Sequence, residues 1–78
     1  MSLRPVKHSL TLRGHRTSVT LEPEFWDAFR AIAAESGLPI NTLAARIDEA
    51  RGTEMGLASA MRLHVLRHYR RAAEKGRD

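Results

Sequence analysis

The chain has no cysteine among its 78 residues. That excludes disulfide staples and thiolate metal sites, and it fits a reducing compartment such as the cytoplasm. Aromatic residues are scarce, with one Trp, one Tyr and two Phe. No apolar run approaches the roughly 20 residues that a membrane-spanning helix needs. The first residues, Met1-Ser2-Leu3-Arg4-Pro5, lack the apolar centre of a secretion signal. A soluble, cytoplasmic protein with no membrane partner is expected. Acids are missing from the first 20 residues, which carry Arg4, Lys7, Arg13 and Arg16. A chain this short buries only about 60% of its unfolded surface. With disulfides excluded, association with a second copy is the remaining way to enlarge the core, so a homodimer is expected.

The charge is arranged in blocks. Residues 1–20 carry +4, residues 21–56 combine seven acids with three arginines for −4, and residues 57–78 combine six cations with two acids for +4. A surface of one sign concentrates partners of the other. Nucleic acid is the first partner this suggests. An acidic protein or membrane surface comes next, and a plain solvated surface is the bland alternative.

Period-two alternation runs from Ser9 to Leu21 but changes phase, since Leu10 and Leu12 are even-numbered while Val19 and Leu21 are odd. A straight strand would put these pairs on opposite faces. A two-residue turn at Gly14-His15 resolves this by pairing Leu12 with Thr17 and Leu10 with Val19. Ser9, Thr11, Arg13, Arg16, Ser18 and Thr20 then share the other face. A bulge at Gly14 is the alternative. In either case residues 17–21 are expected to pair with a second chain, because a lone strand is not stable in water.

Glu22-Pro23-Glu24 reads as a helix start, with proline at the first position and acids at the positive end of the dipole. Phe25, Phe29 and Ile32 form an apolar stripe with Trp26 at its edge, and Gly37 closes the helix. Asn41 is the expected N-cap of a second helix through about Ala50. A third helix, Leu57 to about Ala73, carries the stripe Leu57, Met61, Val65 and Tyr69. The expected division is a basic arm over 1–8, a domain over 9–73 and a frayed tail over 74–78.

Chemistry has little support. Ser18, Ser36 and Ser59 have no recognisable His and acid companions, and no Gly-Lys-Ser/Thr phosphate loop occurs, so no enzyme is expected. His64 and His68 have the spacing of a shared metal but no third ligand, so neither metal nor cofactor is expected. Phe25, Trp26 and Phe29 could stack bases, although aromatics at helical spacing more often form core. Phe25 and Phe29 are read as dimer core.

The run Thr17-Ser18-Val19-Thr20-Leu21-Glu22-Pro23-Glu24-Phe25-Trp26, followed by Ile32-Ala33-Ala34 and Gly37-Leu38-Pro39-Ile40-Asn41-Thr42-Leu43, resembles the ribbon-helix-helix DNA-binding family. Gly14-His15-Arg16-Thr17-Ser18 is similar to the segment that precedes the strand in a small bacterial subgroup. The resemblance covers roughly residues 9–71. It implies a mostly α fold with a short β ribbon, a homodimer, and here an additional C-terminal helix. It further implies double-stranded DNA as partner, with the ribbon in the major groove and a role in transcription regulation. Arg16, Ser18 and Thr20 are then the base-contact candidates, and Arg13, Asn41 and Thr42 the phosphate-contact candidates. Taken alone, the first three are equally the wet face of an ordinary sheet. The second reading is an antitoxin-like or other protein–protein interaction module, using the last helix and its Arg62, Arg67, Arg70 and Arg71.

Overall fold

Alternation of polar and apolar residues continues back from Ser9 through His8, Lys7 and Val6, and the first strand uses all of it. In a computed structural model describing residues 4–76, β1 spans Val6–Leu12 and β2 spans His15–Leu21. Three helices follow: α1 (Pro23–Glu35), α2 (Ile40–Ala50) and α3 (Leu57–Lys75). Residues 1–3 of the expected arm and 77–78 of the expected tail lie outside the described residues. Residues 6–8, expected in the arm, belong to the sheet.

β1 and β2 form a two-stranded antiparallel hairpin within one chain, with Leu12 opposite His15, Leu10 opposite Thr17 and Val6 opposite Leu21. The turn is therefore Arg13-Gly14 and not Gly14-His15. Both residues have positive φ, 50° and 83°. That is the type I′ geometry, whose twist matches the twist of the strands. The register differs from expectation by two residues, an even number, so every side chain keeps its expected face. Only Arg13 leaves the outward face, because it sits in the turn. The expectation that residues 17–21 need a second chain for their pairing does not hold, since β1 supplies it.

Leu10, Leu12, Val19 and Leu21 point to the helices and are buried. They meet Phe29 and Ile32 of α1, Leu43 and Ile47 of α2, and Met61 and Val65 of α3. A fully buried side chain of this size contributes about 1.5–3 kcal/mol. Phe29 is fully buried inside one chain. Phe25 is only half-buried, with the Arg62 guanidinium 5.9 Å from its ring centre. Phe29 thus belongs to the core of a single chain, and Phe25 packs at its border.

The helix boundaries follow local chemistry. Pro23 opens α1 with Glu24 in its first turn. Gly37, at φ 70°, closes it. There the Leu38 N–H donates to the Ala33 carbonyl (2.9 Å) and the Gly37 N–H to the Ala34 carbonyl (3.1 Å), a Schellman pair. α2 starts differently from expectation. Pro39 is its N-cap, and Asn41 stands inside the first turn. The Asn41 side chain has another use, described below. α3 is longer than its supports, with 19 residues against 13 in α1 and 11 in α2. Its first half buries Met61 and Val65. Tyr69, expected in the packed stripe, is 48% exposed, and Leu66 is 50% exposed. Among the described residues no helix is long and apolar enough to cross a membrane.

Candidate nucleic-acid interface

The outward face of the hairpin holds six side chains in three cross-strand pairs: Lys7 with Thr20, Ser9 with Ser18, and Thr11 with Arg16. All six are exposed. The face carries two cations, four hydroxyls and no acid. It is a flat display of hydrogen-bond donors, the chemistry that base edges and phosphates accept. Arg16, Ser18 and Thr20 stand together there, as expected. Lys7 is the residue that sequence reasoning missed. The signal was the alternation Val6-Lys7-His8-Ser9, which simply continues the strand.

The phosphate-contact candidates are placed differently from one another. Arg13, at the turn, has its guanidinium 2.6 Å from Glu49 Oε1 and 3.3 Å from Asp48 Oδ2 of α2. These exposed ion pairs tie the turn to α2 and offset its charge, and each is worth little in stability. Asn41 and Thr42 are both exposed in the first turn of α2. Asn41 Oδ1 accepts the Thr11 N–H of β1 at 3.1 Å. Thr42 donates its own N–H to the Pro39 carbonyl at 3.1 Å. The start of α2 is thus fastened to the edge of the ribbon, which brings Asn41 beside Thr11.

At the other edge of the ribbon α3 engages one backbone group, the Thr20 carbonyl. Because Leu12 and His15 flank a two-residue turn, they form a hydrogen-bonded pair, and such pairs alternate along the ladder. The backbone groups of Arg16, Ser18 and Thr20 therefore point away from β1. The Arg62 guanidinium reaches the Thr20 carbonyl (3.4 Å) and bonds Glu22 Oε1 (2.8 Å). This hydrogen bond from Arg62 is the main reason the Glu22 carboxyl is held below its usual pKa. Arg62 is a fastening between strand, turn and helix, a role that no local signal in the sequence shows.

On the inner side His8 stacks on Trp26, with ring centres 3.8 Å apart and planes 7° from parallel. One face of Trp26 is thereby covered by its own chain, which removes it as a base-stacking platform. Among the described residues, no three His, Cys, Asp or Glu side chains gather as a metal site. His68 Nε2 lies 3.4 Å from Glu35 Oε2. His64 has its pKa lowered, first by burial and then by the nearby charges of His68 and Arg71.

Comparison with known proteins agrees with this architecture. Residues 5–69 match the family model described as ribbon-helix-helix domain. Among solved structures, an uncharacterized protein from Bordetella pertussis Tohama I is similar, with a TM-score of 0.79 and 35% sequence identity. The match covers 95% of this chain and 62% of that one, so the present chain spans less than two thirds of that relative's length. No curated protein matches the chain. A hairpin ribbon followed by paired helices, matched over most of the chain, identifies it as a member of the ribbon-helix-helix domain family, a non-enzymatic DNA-binding fold.

Proposed function

We propose that the protein is a DNA-binding transcriptional regulator that acts as a homodimer in the bacterial cytoplasm. The observation that carries this reading is the outward face of the hairpin, which combines Arg16 and Lys7 with four hydroxyls and has no acid. Arg16 reads a guanine through two hydrogen bonds, and Ser18 and Thr20 contact neighbouring base edges. Asn41 and Thr42, at the positive end of α2, hold a backbone phosphate, and Arg13 approaches a second one.

Two copies join by pairing β2 with β2 along its open edge. This edge offers the backbone groups of Arg16 and Ser18, and unpaired edge groups are a template for another strand. The joined sheet brings Arg16, Ser18 and Thr20 from both copies to its centre, with β1 on either flank. The resulting two-fold symmetry calls for a palindromic site.

Fluorescence anisotropy with random and selected duplexes at 50 and 200 mM salt tests the reading. Affinity falls steeply between these conditions because phosphate contacts release counterions. Arg16→Ala costs about 1–3 kcal/mol and relaxes the preference for one base pair. Absence of binding to every duplex at the lower salt rejects the proposal.

A second reading, as an antitoxin-like or other protein–protein interaction module, draws on Leu66 and Tyr69. These stand exposed on α3 among Arg67, Arg70 and Arg71 and would suit an acidic protein partner. Leu66→Ser combined with Tyr69→Ser separates the readings. The double variant retains DNA affinity under the first and loses partner capture under the second.

A further inference from the structure

Arg13 takes the first place of the type I′ turn with φ 50°, a place that suits asparagine, aspartate or glycine better than arginine. Its guanidinium is anchored on α2, where Nη1 lies 2.6 Å from Glu49 Oε1 and Nη2 lies 3.3 Å from Asp48 Oδ2. Both carboxylates stand in the last turn of α2, at the negative end of the helix dipole, where an acid is unfavourable and a cation offsets it. Asp48 has a second cation, since Arg51 Nε donates to its Oδ1 at 2.7 Å. Glu49 has no second cation among the described ion pairs. An open groove of about 620 Å³ is lined by Arg13, Arg16, Asp48 and Arg51, which puts Asp48 beside the turn end of the ribbon. Among the described cations of the proposed DNA face, Lys7, Arg13 and Arg16, Arg13 alone is already paired with an acid.

We propose that Asp48 and Glu49 set the affinity for DNA as resident competitors of its phosphates, and that Arg13 reaches the backbone by exchanging their carboxylates for a phosphate. This role rests on the DNA-binding reading above. A guanidinium binds carboxylate and phosphate through the same forked hydrogen bonds, so the two anions compete for one side chain. Exposed pairs of this kind are weak, and the Arg13 side chain is 54% exposed, so a phosphate can displace them. After the exchange Asp48 keeps Arg51, whereas Glu49 is left without a cation at the negative end of α2. The gain from the Arg13–phosphate contact is therefore reduced by the strength of the pairs given up.

A double-mutant cycle in duplex affinity reads the exchange. Anisotropy with a random-sequence duplex at low salt serves, because phosphate contacts carry no sequence information. The four chains are the wild type, Arg13→Asn, Asp48→Asn with Glu49→Gln, and the combination of all three. Asparagine suits positive φ, so Arg13→Asn keeps the turn. Arg13→Asn should weaken binding about three- to fivefold more in the acid-free background than in the wild type, the size expected of exposed ion pairs that exist only in the free protein. Charges acting at a distance add independently and give no such difference. An equal loss in both backgrounds, or a larger loss in the wild type, overturns the exchange while the DNA reading stands. Absence of duplex binding by all four chains rejects the DNA reading and the exchange with it. Glu49→Gln alone preserves the Arg51 tie to Asp48. It carries the cycle, with a difference of about twofold, should the doubly neutralised chain lack a native circular dichroism spectrum.

Discussion

The two basic ends of the chain carry the same formal charge, +4 each, yet they present it in different surroundings. At the ribbon, Lys7 and Arg16 stand on a flat face among hydroxyls, and Arg13 is drawn aside to Asp48 and Glu49. On α3, Arg62 is consumed in fastening Glu22 and Thr20, while Arg71 and Lys75 stand exposed beside an open groove between the helices. Net charge alone would rank the ends as equals. Shape and neighbours separate them, because a cation acts through what stands beside it and how much water it keeps.

The comparison can be broken most strongly through packing. Phe29→Ala empties a fully buried position beneath the ribbon and costs about 3–5 kcal/mol, read by urea denaturation. Leu66→Ala, at an exposed position of α3, changes stability by less than about 0.5 kcal/mol in the same measurement.

Next in size is the proposed association of two copies through β2. Ser18→Pro removes an N–H that faces away from β1, so the hairpin keeps its ladder while the joining edge loses a donor. Sedimentation should show a folded chain that no longer forms dimers, and its DNA affinity should fall with them.

Smaller still are the titrations. The Glu22 carboxyl is held below the ordinary 4.5 by its hydrogen bond from Arg62. A depressed carboxyl stabilises the fold above its unfolded pKa, and that contribution is lost as pH falls through the folded value. Arg62→Ala removes it, so the variant's melting temperature falls less than the wild type's on acidification below pH 4.5. His64, lowered from 6.5 by burial, also favours the fold in its uncharged form. Its contribution is present above pH 6.5 and is lost as pH falls through its folded value. His64→Gln should flatten the melting temperature across that range.

Much of this architecture was legible because its signals are local. Glu22-Pro23-Glu24 marked the start of α1, Gly37 its end, and the spacing of Phe29 with Ile32 and of Met61 with Val65 marked buried faces. The outward set Arg16, Ser18 and Thr20 was legible through alternation, which survives an even shift of register. What the sequence concealed depends on distant partners. Arg13 adopts positive φ, uncommon for arginine, while carboxylates 35 and 36 positions away hold its side chain. Asn41 offers its oxygen to a strand 30 residues upstream, so Pro39 takes the capping position. Arg62 bridges 40 residues to Glu22. None of these contacts leaves a periodic trace.

The turn at Arg13-Gly14 also bears on how the protein comes into being. Strands joined by two residues meet with almost no loop to close, and hairpins of this kind zip up within about 1–10 μs. The ribbon can therefore be complete on a single nascent polypeptide, with no second copy needed to close it. Dilution to concentrations where encounters between copies are rare should leave the hairpin intact.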